Sequence, residues 1–240
     1  MSKVAVITGS RAEYGLLSGL MQMLDLEEAI DFQLIVTGSH LSKELGETVN
    51  FIKKDGFKIN HLVDMEIESD KPIGISNSMS NAMRDLGKVY EELKPDLIIL
   101  LGDRYEIFIA AAVATIFRIP IAHLHGGERT EGAFDEVFRH SLTKMSHIHF
   151  TSMEEYSNRV IQMGENPKNV FQVGALGIDN IKKLELLSKD ELEKELDFKF
   201  SKKNVLVTFH PVTLEEETYK EQFKQLIEAL DEHQDISIIF

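Results

Sequence analysis

Short apolar runs rich in Val and Ile recur along the chain, with longer amphipathic stretches between them. The runs are "KVAVITG" (Lys3 to Gly9), "DFQLIVTG" (Asp31 to Gly38), "INHLVDM" (Ile59 to Met65), "DLIILLG" (Asp96 to Gly102), "PIAHLHGG" (Pro120 to Gly127), "HIHFTS" (His147 to Ser152) and "VFQVGA" (Val170 to Ala175). Short, nearly continuous, β-branched runs are what strands need when both faces of their sheet are covered. The stretches between predict helices over Gly15 to Glu28, Ser42 to Asp55, Ser76 to Leu93, Tyr105 to Phe117, Phe134 to Met145 and Met153 to Gly164. Strand and helix alternating in this way predict the α/β class, a parallel sheet with helices on both faces.

Near Ile178 the pattern changes to a charged helical stretch with no strand run, and a new strand, helix and strand follow from Asn204. The expected division is a first domain over 1–177, a connection over 178–203 and a second domain over 204–240. One strand–helix–strand unit is too little to bury a core of its own. The chain is therefore expected to hold only the opening of that second domain, as a fragment of a longer protein. Composition excludes several classes: 43% hydrophobic and 28% charged residues fit neither a disordered nor a collagen-like chain. A formal charge of -14 argues against a nucleic-acid partner, although a few arginines and backbone amides can still hold a nucleotide's phosphates. With no cysteine, a disulfide frame, a thiolate nucleophile and a cysteine-ligated zinc are excluded. "MSKVAVITGS" begins a strand with no charged leader, and the longest apolar stretch, Ile107 to Phe117, is too short to span a bilayer. A cytoplasmic protein without a membrane partner is expected.

In an open parallel sheet ligands bind beyond the carboxyl ends of the strands, so the residues just after each run carry the chemistry. They include "GSRAEYG" (Gly9 to Gly15), "GSH" (Gly38 to His40), "GDR" (Gly102 to Arg104), "HGGE" (His125 to Glu128) and "HP" (His210 and Pro211). The first of these lacks the G-x-G-x-x-G spacing of a dinucleotide loop. Two uses stand open for it: a turn whose amides and Arg11 hold a phosphate, or a plain capped turn with Arg11 paired to Glu13 or another acid. Ser10, Glu13, Arg104 and Glu128, at the same strand ends, are read as substrate-binding with Arg11. Asp103 precedes the helix near Tyr105 and suits an N-cap, which does not prevent it from facing a ligand.

His123 and His125 stand two apart on an expected strand and so share a face. No third ligand stands at standard spacing, so a metal pair is not expected. His123 is read as a hydrogen-bonded core histidine and His125 as an acid or base at the strand end. His147 and His149, at the start of their strand, are read as structural. In "FDEVFRHSLTKMSH", Asp135 and Arg139 form one i,i+4 pair and Glu136 and His140 another, with Phe134, Phe138, Leu142 and Met145 as the core stripe. Acids in a first helical turn are favoured in their ionised form. A carboxylate held ionised beside a histidine is a general-base arrangement.

"GSRAEYG", "GDRYE", "HLHGGE", "DEVFRHSLTKMSH" and "HPVT", in this order, resemble the hydrolysing UDP-N-acetylglucosamine 2-epimerases of sialic-acid and legionaminic-acid biosynthesis. The resemblance covers the whole chain and is more distant to the non-hydrolysing branch. It implies a Rossmann-like first domain in a two-domain, glycosyltransferase-B-like arrangement, with the second domain only partly present. It implies a nucleotide-sugar substrate, a homo-oligomer, and no metal or nicotinamide cofactor. The implied reaction eliminates the nucleotide to give a 2-acetamidoglucal, then adds water to release a free N-acetylmannosamine-type sugar. By motif match, Arg11 would contact the diphosphate, and Asp103, Asp135 and Glu136 would be the carboxylates near the sugar ring. Arg139 would orient them, and His210 would serve as an acid or diphosphate partner. His125 stands where the non-hydrolysing branch carries Glu, which leaves the partition of roles among His125, Asp135 and Glu128 open. Leu16 stands where that branch carries Lys, and this supports the hydrolysing branch. Two rivals are a glycosyltransferase on the same architecture, which predicts an acceptor pocket in place of the Asp103–Asp135 cluster, and a non-catalytic nucleotide-sugar-binding module.

Overall fold

The structure, a computed structural model, describes residues 1–211, 218–233 and 235–240. It divides into one unit of residues 1–129 and 135–182 and a second of 130–134 and 183–240. The first unit is a seven-stranded parallel sheet of β1 (Ser2–Thr8), β2 (Ile30–Thr37), β3 (His61–Val63), β4 (Leu97–Leu101), β5 (Ile121–Leu124), β6 (Ile148–Thr151) and β7 (Val170–Gln172). In space the order is β3-β2-β1-β4-β5-β6-β7, so its direction reverses between β1 and β4.

Alternation along β1 explains why helices cover both faces. Val4 and Val6 belong to a core with Leu17 and Met21 of α1 (Arg11–Leu26) and Ile52 of α2 (Val49–Lys54). Ala5 and Ile7 belong to a separate core with Leu86 of α3 (Pro72–Leu93) and Ala110 of α4 (Tyr105–Phe117). Successive strand residues point to opposite faces, so a run apolar at every position needs a partner on each side. The sheet edge beyond β5 carries α5 (Asp135–Met145) and α6 (Glu154–Gln162).

Three helices differ from expectation for local reasons, and the first is α3, which begins at Pro72 rather than Ser76 because proline suits the first helical position. Helix α1 begins at Arg11 rather than Gly15, because Ser10 is extended and its hydroxyl accepts from the Glu13 amide. The expected helix over Ser42 to Asp55 forms only as α2. Gly46 (φ 88°) and Glu47 (φ 44°) take left-handed backbone there and break the segment. Helix α7 (Leu176–Lys183) lies almost wholly in the first unit, where Asn180 donates to the Gly15 carbonyl at 2.5 Å. The second unit holds α8 (Lys189–Glu195), β8 (Asn204–Leu206), α9 (Tyr219–Asp231) and β9 (Ser237–Ile239), with β8 and β9 paired parallel in their own two-stranded sheet. Val212 and Thr213 of the "HPVT" motif and Glu215 to Glu217 of the expected helix lie outside the described residues. Among the described residues no helix is long and apolar enough to cross a membrane.

Candidate active site

The reversal of strand order sets the turns after β1 and β4 side by side, and this is where a doubly wound sheet leaves room for a ligand. A cavity of about 250 Å³ opens there, lined by Ser10, Glu13, Asp103, Arg104, His125 and Arg139 among others. A larger hollow of about 380 Å³ lies at the amino ends of β4 and β5, beside Asp96 and Pro120. It holds no histidine and lies on the wrong edge of the sheet, so position and chemistry outweigh size.

The first wall is the start of α1. Ser10 Oγ accepts from the Glu13 amide at 3.4 Å, and the buried Glu13 carboxyl accepts from the Gly9 amide at 2.7 Å. Buried Glu106 crowds the same glycine: a Cβ on Gly9 would lie 3.2 Å from its Cβ. Arg104 pairs with Glu106 at 2.9 Å. Burial first, and the Glu106 charge second, push the Glu13 carboxyl up to about 8. Glu13 is therefore largely protonated at neutral pH, and it is not the partner of Arg11. Arg11 is exposed at the first turn of α1, its guanidinium 5.4 Å from the Phe51 ring centroid, and no carboxylate among the described residues pairs with it. A helix N-terminus carrying an uncommitted arginine suits an anion.

The second wall is built on Arg139, of which only 6% is exposed. Its guanidinium donates to the Asp103 carboxylate. This contact replaces the expected N-cap role of Asp103: Arg104 holds the cap position of α4, and no side chain bonds there. Asp135, in the first turn of α5, has its carboxyl pushed above the usual range by burial first and the Asp103 charge second. Two carboxylates thus stand near one buried cation, and burial with the neighbouring Asp103 charge makes Asp135 harder to ionise than an ordinary aspartate. Glu136 meets His140 at 3.6 Å one turn along, as its spacing predicts.

The third wall follows β5. His123 is fully buried in a hydrogen-bonded core position: Nε2 donates to the Gly102 carbonyl at 2.8 Å, and Nδ1 lies 3.3 Å from Thr143 Oγ1. Burial lowers its pKa to about 4, so it is neutral. His125 does not share its strand face. The strand ends at Leu124, and His125 takes φ 62°, a left-handed conformation that costs free energy for a residue with a Cβ. Its Nδ1 lies 2.9 Å from Glu128 Oε1, and its buried Nε2 has no partner among the described residues. Burial works to raise the Glu128 carboxyl, but hydrogen bonds from His125 and Ser152 hold it below the usual range. The glycines of "HGGE" are required by packing. A Cβ on Gly126 would lie 3.0 Å from His123 Nδ1. One on Gly127, at φ 78°, would lie 2.4 Å from the Tyr156 carbonyl oxygen.

Among the expected site residues, Ser10, Glu13, Asp103, Arg104, His125, Glu128 and Arg139 come together around this cavity. His210 follows β8 in the second unit and is exposed. His40 is fully buried between Thr8 and Thr48 and serves the core. His147 and His149 are structural as expected: one accepts from the Ile121 amide at 3.3 Å and the other meets Glu165 at 3.3 Å. Glu106 and Ser152 are additions that sequence reasoning passed over. Glu106 stands in the "GDRYE" motif itself. Ser152 closes the neighbouring strand run, where the strand-end rule points.

Two outcomes follow for stability. Gly127→Ala should lose about 2–4 kcal/mol in urea denaturation, since it adds both left-handed strain and a backbone clash. Because the Glu13 carboxyl is raised from 4.5 to about 8, its stabilising contribution is fully present below about 4.5 and is lost as pH rises from there through about 8. Glu13→Gln should remove this loss, and at pH ~9 the variant should exceed the parent by on the order of 3 kcal/mol while matching it near pH ~4.

Comparison with known proteins yields consistent matches. A family model described as UDP-N-acetylglucosamine 2-epimerase matches residues 22–240. The GDP/UDP-N,N'-diacetylbacillosamine 2-epimerase (hydrolyzing) of Campylobacter jejuni is 40% identical over 99% of this chain and 62% of its own length. The polysialic acid biosynthesis protein P7 of Escherichia coli is 42% identical over 96% of this chain and 59% of its own length. The crystal structure of UDP-GlcNAc 2-epimerase from Neisseria meningitidis bound to UDP-GlcNAc superposes with a TM-score of 0.80 at 21% identity, covering 98% of this chain and 64% of that one. The chain thus spans about three fifths of the length of these relatives.

Proposed function

Since the chain belongs to the UDP-N-acetylglucosamine 2-epimerase family, we propose that it carries the reacting half of a hydrolysing nucleotide-sugar 2-epimerase. In this reading 1–177 is the substrate-holding first domain, 178–203 the connection and 204–240 the opening of a second domain. The observation that carries the reading is the buried Arg139 at the carboxyl edge, bonded to Asp103 and close to a second carboxylate of raised pKa, Asp135.

Elimination needs a base for the C2 proton and a cation for the departing diphosphate. Asp135 fits the first need, because a carboxylate of raised proton affinity is the stronger base. As the C2–H pair forms the C1=C2 bond, the C1–O bond breaks and the nucleoside diphosphate leaves. Arg11 and the first turn of α1 suit that anion, and the protonated Glu13 beneath adds no negative charge against it. Water then adds across the double bond, with hydroxyl at C1 and hydrogen at C2 on the opposite face. Asp103, held by Arg139, and His125 are the acid–base groups for that step. Glu136 supports the same helical turn through His140. In the second unit His210 is the candidate acid or diphosphate partner.

The sugar is a 2-acetamido hexose. Relatives near 40% identity carry diacetylbacillosamine in their names, so both UDP-N-acetylglucosamine and UDP-N,N'-diacetylbacillosamine are the substrates to assay. The test is turnover of the complete protein in deuterated water. Release of UDP with deuterium at C2 of the free sugar is expected, and Asp135→Asn should lower kcat by roughly a hundredfold or more. Release without C2 label, or transfer of the sugar to an acceptor, overturns the proposal.

A further inference from the structure

The ends of β5 and β6 assemble three side chains that the reaction above leaves only partly used. The His125 amide donates to the Phe150 carbonyl at 2.9 Å, which continues the β5–β6 ladder past Leu124 and holds His125 in its left-handed conformation. Three residues on, Glu128 Oε1 lies 2.9 Å from His125 Nδ1 and accepts from Ser152 Oγ at 2.8 Å. Ser152 comes directly after β6. A carboxylate oxygen can only accept, so Nδ1 must carry the ring proton, and a neutral imidazole then leaves Nε2 as an acceptor. That Nε2 is buried and without a partner among the described residues, on a side chain that lines the cavity.

Resting on the reading of this cavity as the epimerisation site, we propose that Glu128 and Ser152 are positioning residues that hold His125 in the Nδ1–H form, with Nε2 available to a substrate hydroxyl, the C2 hydrogen or the added water. This takes Glu128 out of the substrate-binding set expected from sequence. Its Oε1 is engaged twice within the protein, and its part is played through the ring. The arrangement is the orienting-carboxylate logic of hydrolytic triads, with serine as the outermost holder instead of the nucleophile. It also gives the histidine at this position a physical use: unlike a carboxylate, an imidazole has a second nitrogen by which the protein can fix it.

The test reads the ring directly and then the rate. In protein labelled with nitrogen-isotope histidine, long-range proton–nitrogen correlation at neutral pH should show His125 with a protonated Nδ1 and a bare Nε2, its signals assigned by their loss in His125→Asn. Glu128→Ala should give a mixture of tautomers. It should also lower kcat roughly a hundredfold while KM for the nucleotide sugar stays within about twofold. Glu128→Gln, which retains an acceptor oxygen, should recover the Nδ1–H form and part of the rate. Ser152→Ala should move both readouts in the direction of Glu128→Ala by smaller amounts, and it serves if Glu128→Ala does not fold. An Nε2–H ring in the parent protein, a tautomer indifferent to both variants, or a raised KM with kcat unchanged overturns the assignment. The expected tautomer response in a protein that turns over neither nucleotide sugar contradicts the epimerase reading and leaves the positioning of His125 standing.

Discussion

The candidate site depends on one buried cation. Arg139 lies almost wholly out of water on α5, and an isolated guanidinium in such a place is costly. Its donation to Asp103 compensates that cost, and it ties α5 to the turn after β4. Breaking such a pair by removing one member commonly costs ~3–5 kcal/mol, so the link constrains the backbone as well as the charge. Asp103 is thereby drawn away from the capping position it would otherwise suit, and Asp135 has its proton affinity raised by burial first and by the nearby Asp103 charge second.

Around that pair the protein separates the proton affinities of its acids by environment. Glu13 is buried beside Glu106 and is largely protonated at neutral pH. Asp135 is raised, by burial first and the Asp103 charge second. Glu128 is lowered by two donors. Carboxyl groups driven apart in this way are how one sheet edge can present both a proton donor and proton acceptors at one pH. Neutral His123 belongs to the scaffold, pinning the Gly102 carbonyl so that the turn bearing Asp103 keeps its place beside β5.

Much of this was legible in the sequence, for reasons that can be traced residue by residue. The strand runs were clear because both faces of each are buried, so alternation gives way to continuous Val and Ile. Helix α4 occupies its expected span, Tyr105 to Phe117, because its apolar residues recur without a break. The start of α1 at Arg11 is signalled only by Ser10 followed three residues on by Glu13, a helix-start pattern that a loop at a strand end also allows. The break before α2 depends on left-handed backbone at Gly46 and Glu47, and only the glycine hints at it. The neighbours of the site residues could be named from strand ends. Their partners could not, because Asp103–Arg139 and Glu128–Ser152 join residues far apart in the chain, and no local spacing encodes either pair. The left-handed turn at His125 is likewise invisible in "HLHGGE", whose pattern continues the strand.

On our proposal, the carboxyl edge where strand order reverses holds the diphosphate and the sugar together. A crystal structure of the complete protein with bound UDP tests it most directly. The diphosphate is predicted against the first turn of α1 within reach of Arg11, with Asp103, His125 and Asp135 facing the volume beyond its terminal phosphate. UDP seated at the amino ends of the strands, or a terminal phosphate directed away from those three side chains, would contradict it.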